Sequence, residues 1–312
     1  MIEVNNLVKR YGSKMAVDHI QFRIDDGEVV GFLGPNGAGK STTMNILTGY
    51  ISSTEGSVRV DGYDVMEDPH QVKRRIGFLP ENPPLYMDMT VNEYLRFACK
   101  IKAVKKPLQK HIDQICEVVG IAHVQKRLIR NLSKGYKQRT GLAQALVGNP
   151  STMILDEPTV GLDPIQIIGV RNIIKELGNH GTVILSSHIL PEVQSVCKRV
   201  LIMNEGRICA DGLIDDLSKG LQENHSLQIR VTGTPECVLP TLNAIEGVSQ
   251  VKLLPSGETG ARDYGVRGTD GMDLRAAVFE AVKNAGLTML SMKSAGLTLE
   301  ELFLRLTVKG EM

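Results

Sequence analysis

The sequence predicts an α/β chain: a mixed sheet fed by strands and helices, a helical stretch in the middle, and a small α+β domain at the C-terminal end. Three observations carry this. The apolar run Val29-Val30-Gly31-Phe32-Leu33 leads into Gly34-Pro35-Asn36-Gly37-Ala38-Gly39-Lys40-Ser41-Thr42, a glycine-rich turn that opens a helix. After Pro150, strand-like and helix-like segments alternate, as in a parallel sheet. From about Leu221 a fresh series of strand, helix, strand, strand, helix and strand begins.

Taken in order, the first 24 residues read as strand, turn, strand: Ile2 to Leu7 alternates, Tyr11-Gly12 turns, and Ile20, Phe22 and Ile24 fall in phase. Tyr11, an isolated aromatic, reads either as a stacking face for an adenine ring or as cover for a sheet edge. In the glycine-rich loop, Gly34, Gly37 and Gly39 permit positive φ and let successive N–H groups turn inward. The helix start adds roughly half a positive charge where phosphate would sit. Lys40 supplies a full charge for β- and γ-phosphates, and the Ser41 hydroxyl a ligand for Mg²⁺. A helix is expected over 42–48, ended by Gly49, then strands at 57–60 and 76–79.

The middle is helical. Thr90-Val91-Asn92-Glu93 is a capping box ahead of a helix to Ile101. Pro107 opens a second helix, ended by Gly120. Lys100, Lys102, Lys105, Lys106 and Lys110 read as a solvated face. A third helix starts at Ser133, where Ser133-Lys134-Gly135 puts a hydroxyl and a glycine backbone at a helix N-terminus, an arrangement suited to an anion.

Beyond Pro150, Thr152-Met153-Ile154-Leu155 is a buried strand that delivers Asp156 and Glu157 at its C-terminal end, the edge where open parallel sheets bind ligands. Adjacent carboxylates there must face a cation or solvent. We assign Asp156 to the Mg²⁺ shell and Glu157 to orienting a water toward the γ-phosphorus. Asp163 caps the next helix, with Pro164 in its first turn. A strand at 182–185 ends at Ser186-Ser187-His188, which places His188 to reach the same phosphate.

The junction to the last domain is expected between Lys219-Gly220 and Asn224. A strand at 227–231 and a helix at 240–245 precede a hairpin of 251–254 and 264–267 across Pro255-Ser256-Gly257. An apolar stripe of Leu274, Val278, Ala281, Val282 and Ala285 marks a helix, followed by a strand at 287–292. Thr298-x-x-Glu301 caps a final helix. The order is ferredoxin-like. Met289 and Met292, three apart on a strand, are expected on opposite faces and therefore to pack rather than to ligate a metal.

Composition narrows the function classes. A net charge of +1 gives no bulk case for nucleic acid, and 4% aromatics with no Trp argues against a base-stacking platform. The 5 cysteines show no CxxC spacing, so neither a disulfide framework nor a zinc site is indicated and a reducing, cytoplasmic setting is expected. The N-terminus lacks a signal-peptide pattern, and no apolar run approaches the roughly 20 residues of a bilayer span.

Over roughly residues 1 to 220, an ordered series of motifs resembles the nucleotide-binding domain of an ABC transporter. Tyr11 matches the adenine-stacking residue, Gly34 to Thr42 Walker A, and Leu79-Pro80-Glu81 the Q-loop. Leu132-Ser133-Lys134-Gly135-Tyr136 matches the signature, Met153 to Glu157 Walker B, Gly161-Leu162-Asp163 the D-loop, and His188 the switch histidine. The resemblance implies an ABC-type P-loop ATPase fold, with a helical subdomain over about 88–150 and an accessory domain over 221–312. It implies ATP and Mg²⁺ as ligands and Lys40, Glu157 and His188 as the catalytic set. Nucleotide contacts fall to Tyr11, Gly34, Pro35, Asn36, Gly37, Ala38, Gly39, Lys40, Ser41, Thr42, Ser133, Gly135 and Asp163, and metal contacts to Ser41, Glu81 and Asp156.

The same resemblance implies that Ser133 and Gly135 of one copy close over ATP held by Lys40 of a second, in a head-to-tail dimer. A separate membrane-spanning permease is the other implied partner, which places the chain on the inner face of the cell membrane. The tail Leu299-Glu300-Glu301-Leu302-Phe303-Leu304 and the run from Leu79 to Tyr86 resemble the gliding-motility and multidrug exporter branches. Glu81 stands where the family usually has Gln, Lys134 where it has Gly, and Tyr136 where it has Gln; Lys134 is expected to add positive potential at the closed interface. The alternative is a soluble ABC-type regulatory ATPase without a membrane partner. Translation ATPases of this type usually carry two such domains. Chromosome-type ATPases insert a long coiled coil between Lys40 and Ser133, where only about 90 residues lie without sustained heptads.

Overall fold

The computed structural model describes all residues except 106, 221–225, 256–257, 259, 270–271, 295–298 and 308–312. By its internal contacts the chain divides into two units, Met1–Leu213 with Arg305–Met312, and Ile214–Leu304. The boundary expected at residue 220 falls inside the helix Ile214–Gly220, at the far end from this division.

The first unit holds two sheets. An antiparallel one runs in the order Lys14–Ile24, Ile2–Tyr11, Glu55–Val60, Tyr63–Asp64. The other has six strands in the order Arg207–Leu213, Arg199–Asn204, Val29–Leu33, Thr182–Ser187, Thr152–Asp156, Ile76–Leu79. Its five strands after the first are mutually parallel, and only Arg207–Leu213 is antiparallel. Such a mixed sheet needs cover on both faces, which is why Thr152–Asp156 and Thr182–Ser187 are buried at every position. The core includes Val4, Phe22 and Val58 of the antiparallel sheet, Phe32, Ile184 and Leu201 of the mixed one, and Met44 and Leu47 of the helix Lys40–Leu47. Each such side chain contributes about 1.5–3 kcal/mol by leaving water. Phe22 and Phe32 meet with ring centroids 5.8 Å apart, tilted by 59°.

The middle segment folds into helices Val91–Ile101, Leu108–Val118 and Lys134–Leu146. The Thr90 capping box is complete, with the Glu93 N–H donating to the Thr90 hydroxyl and the Glu93 carboxylate accepting from the Thr90 N–H at 2.8 Å. The lysine face is corrected at one position. Lys102 is half-buried, and its Nζ donates to the carbonyls of Ile76 at 2.9 Å and Val147 at 3.0 Å. It ties the end of one helix to a sheet strand and to the end of another helix. Lys100, Lys105 and Lys110 are exposed, and Lys106 lies outside the described residues.

The second unit is a four-stranded antiparallel sheet in the order Val248–Leu254, Ala261–Gly268, Ser226–Thr232, Met289–Ser294. With helices Pro235–Asn243 and Arg275–Asn284 this is the ferredoxin-like arrangement. Its core gathers Ile229, Val238, Leu242, Tyr264, Val278 and Val282.

Two expectations fail here. The first helix starts not at Pro240 but at Pro235 after Thr234, and Pro240 sits inside it. Met289 and Met292 both pack on the core rather than on opposite faces. A break in register between Arg230↔Ser291 and Val231↔Met289 inserts Leu290 as an extra residue, and one extra residue reverses the alternation. The junction residues 221–224, Ser256-Gly257 of the hairpin loop and the Thr298 cap lie outside the described residues.

Among the described residues no helix is long and apolar enough to cross a membrane, and no group of three or more His, Cys, Asp and Glu is placed to hold a metal ion. Cys99, Cys116, Cys197, Cys209 and Cys237 are free thiols.

Candidate active site

Four loops leave the C-terminal edge of the mixed sheet side by side. Strand Val29–Leu33 gives the glycine-rich loop, Thr182–Ser187 gives His188, Thr152–Asp156 gives Glu157, and Ile76–Leu79 leads to Glu81. The parallel registers Leu33↔Ser187, Asp156↔Ser186 and Leu79↔Leu155 bring these strand ends level. Sheet order alone thus converges the residues that the sequence marks as functional.

In the loop, Gly37 and Gly39 take φ of 82° and 107°. Gly34 is needed for space: a Cβ there would lie 2.4 Å from the backbone oxygen of Met203. Lys40 is buried, and its Nζ donates to the carbonyls of Gly34 at 2.8 Å and Pro35 at 3.3 Å and lies 3.7 Å from Glu157 Oε1. Burial pulls the Lys40 ammonium below its usual range, opposed by the negative charges of Glu157, Asp156 and Glu81. Glu157 is buried, with φ of 48°, and gives its N–H to the Ser186 carbonyl at 3.0 Å. That left-handed backbone turns the carboxylate back over the sheet edge, where His188 Nδ1 meets both of its oxygens at 2.9 Å. Lys40, Glu157 and His188 therefore form one contiguous group of side chains.

Asp156 is 4% exposed, and its Oδ1 has no hydrogen-bond partner among the described residues. An orphaned buried carboxylate oxygen is costly and fits a hard cation, as do the exposed Ser41 hydroxyl in the first turn of the helix and the exposed carboxylate of Glu81 beyond its strand. Tyr11 ends its strand half-exposed, and Lys9 Nζ lies over its ring, 5.2 Å from the centroid. Pro35, Asn36, Ala38 and Thr42 complete the loop and first helical turn.

Ser133, Gly135 and Asp163 form a second cluster, which no hydrogen bond or ion pair among the described residues joins to Lys40. Ser133 caps the helix Lys134–Leu146 by accepting from the Tyr136 N–H at 3.4 Å, and Asp163 caps Pro164–Gly178 by accepting from the Gln166 N–H at 2.9 Å. The two helix starts interlock, since a Cβ on Gly135 would lie 2.3 Å from Gln166 Oε1 and one on Gly161 1.9 Å from Lys134 Nζ. Tyr136 gives or takes a hydrogen bond at 3.0 Å with His123 Nε2. Ser133 is exposed, so its hydroxyl faces outward from its own chain.

Sequence reasoning missed Thr159 and Glu192. Glu192 is 2% exposed and accepts from the hydroxyls of Thr159 at 2.5 Å and Ser187 at 3.3 Å. The available signal was an acid in the apolar segment from Ile189 to Val196, four residues beyond His188, since Glu is almost never fully buried unless paired.

Comparison with known proteins identifies the family. The pattern that defines the ABC transporter family matches residues 17–160. The bacitracin transport ATP-binding protein BcrA of Bacillus licheniformis is 39% identical over 221 residues, covering 70% of this chain and 72% of that protein. The lantibiotic transport ATP-binding protein SrtF of Streptococcus pyogenes is 37% identical over 230 residues, covering 73% and 97%. A solved dimeric bacterial ABC transporter cassette superposes with a TM-score of 0.64 at 25% identity, covering 68% of this chain and 98% of the cassette. The chain belongs to the ABC transporter family as an ATP-binding subunit, and it is an ATPase.

Proposed function

We propose that this chain is the ATP-hydrolysing subunit of an exporter: it binds MgATP between two head-to-tail copies and drives a separate membrane-spanning permease from the cytoplasmic face. The observation that carries the catalytic part is the contact of His188 with both oxygens of Glu157, which lies 3.7 Å from Lys40 and directly follows Asp156, whose Oδ1 has no hydrogen-bond partner among the described residues. Lys40 and the inward N–H groups of its loop bind the β- and γ-phosphates. Glu157 accepts a hydrogen bond from the attacking water and orients it in line with the γ-phosphorus, so that the new P–O bond forms as the bond to the bridging oxygen breaks. His188 holds the Glu157 carboxylate in place. Asp156, Ser41 and Glu81 would hold Mg²⁺, which when bound neutralises charge on the β- and γ-oxygens.

The dimer follows from the second cluster. No hydrogen bond or ion pair among the described residues joins Ser133 to Lys40 of the same chain, whereas a second copy can bring Ser133 and the helix start behind it over the nucleotide. BcrA and SrtF are named for transport of bacitracin and a lantibiotic, which supports an export role with an amphiphilic or peptide-like cargo. The test is the Glu157→Gln variant, which keeps shape and loses the charge that serves the water. Its turnover should fall about 10²–10⁴-fold, and with saturating MgATP it should elute from size exclusion as a dimer. A variant that stays monomeric would remove the composite site.

A further inference from the structure

We propose that Glu192 is a positioning residue that locks the loop carrying Glu157 to the loop carrying His188; this rests on assigning hydrolysis to that pair. The backbone ladder joining the two strands ends at Asp156↔Ser186, one residue short of Glu157 and two short of His188. Beyond that point only the Glu157 N–H, given to the Ser186 carbonyl, continues the ladder, and Glu157 stands in a left-handed backbone conformation. Glu192 takes over where the ladder stops. Its Oε2 accepts from Thr159 Oγ1 at 2.5 Å and from Ser187 Oγ at 3.3 Å. Thr159 lies two residues after Glu157, and Ser187 directly precedes His188. Ser187 Oγ also accepts from the Ile189 N–H at 3.0 Å, so the backbone on the far side of His188 is pinned to the same hydroxyl.

The chemistry of the cluster fits a rigid link rather than a proton donor. Glu192, Thr159 and Ser187 are all buried, and Arg171 Nη2 stands 3.8 Å from Glu192 Oε1 as the nearby positive charge. Two hydroxyls and a facing guanidinium hold this side chain, and no hydrogen bond or ion pair among the described residues joins it to Lys40 or Glu157. What it governs is the 2.9 Å contact between His188 and Glu157. If the two loops drift by a fraction of an ångström, the water-orienting carboxylate loses its aim while the glycine-rich loop that grips phosphate is untouched. Turnover should therefore suffer and nucleotide binding should not, a split that a general loss of stability would not produce.

The experiment compares Glu192→Ala, Glu192→Gln and Thr159→Val in the full chain. ATP turnover is measured as kcat and KM, ADP binding by titration calorimetry, and folding by circular dichroism. Glu192→Ala should lower kcat about 10–100-fold, by analogy with the loss of an outer partner that orients a metal ligand, with KM and ADP affinity within about twofold. Glu192→Gln keeps an acceptor for the Thr159 hydroxyl and should recover most of that loss. Thr159→Val, nearly isosteric, should lower kcat in the same direction even if Glu192→Ala folds poorly, and the double variant should be no slower than Glu192→Ala. A kcat within about twofold of wild type in both Glu192→Ala and Thr159→Val overturns the proposal, and so does an equal fall of kcat and ADP affinity that glutamine does not relieve. Glu157→Gln is the control. Should it keep full turnover, the underlying catalytic assignment fails; should it lose turnover while the Glu192 and Thr159 variants do not, only the positioning role fails.

Discussion

Replacing Lys102 with methionine separates the packing of this side chain from its charge. Lys102 Nζ donates to the carbonyls of Ile76 and Val147, and burial pushes its ammonium from the ordinary 10.5 down to about 8. The folded-state value lies below the unfolded one, so the protonated form is penalised on folding. The penalty is full below about pH 8 and fades as pH rises toward about 10.5, because across that window the unfolded chain holds a proton that the folded chain has released. A shift of that size corresponds to about 3 kcal/mol at most, and between about pH 7.5 and about pH 9.5 roughly 2 kcal/mol of it should be relieved. Methionine has no proton to release. The stability of wild type minus that of Lys102→Met, from urea denaturation at both pH values, should therefore rise by about 2 kcal/mol with pH. A difference flat to within about 0.5 kcal/mol would show that Lys102 reaches solvent and carries no such penalty.

Other outcomes follow from the same geometry. Gly34→Ala puts a Cβ 2.4 Å from the backbone oxygen of Met203, an atom that cannot rotate away. It should cost about 1–3 kcal/mol of stability by thermal unfolding and weaken ATP binding. Thr90→Ala removes the hydroxyl half of a complete capping box and should cost about 1 kcal/mol in the same assay, with turnover unchanged. Alkylation of the native protein should modify the exposed Cys209 and Cys237, while Cys116 and Cys197, whose thiols burial pushes up to about 12, react only after unfolding. Peptide mass mapping decides this, and rapid native labelling of Cys197 would contradict its place in the packed interior.

What was legible in the sequence was whatever is encoded within a few residues. The Thr90 box, Asp163 with Pro164, and the strand–loop–helix around Lys40 each declare themselves through short-range hydrogen bonding and backbone freedom, and all stand where the spacing put them. The convergence of Lys40, Glu157 and His188 was legible because each follows a buried strand. The misses have long-range causes. Nothing next to Lys102 shows that its ammonium will meet carbonyls from residues 76 and 147. The register break at Leu290 depends on pairing with a strand some sixty positions earlier, so strict alternation set Met289 and Met292 on opposite faces. The helix Pro69–Arg75 carries only one buried residue, Val72, and left no stripe to read. The helix expected from residue 240 starts instead at Pro235, whose fixed φ suits the first helical position, and it runs through Pro240.

The central proposal is that Lys40 of one copy and Ser133 of another act on the same nucleotide. Mixing two inactive variants, Lys40→Ala and Ser133→Arg, tests it most directly. In a head-to-tail pair the mixed dimer has one site spoiled twice and one site intact, so an equimolar mixture should regain about a quarter of wild-type ATP turnover while each variant alone stays inactive. A mixture that remains as inactive as its components would contradict the account.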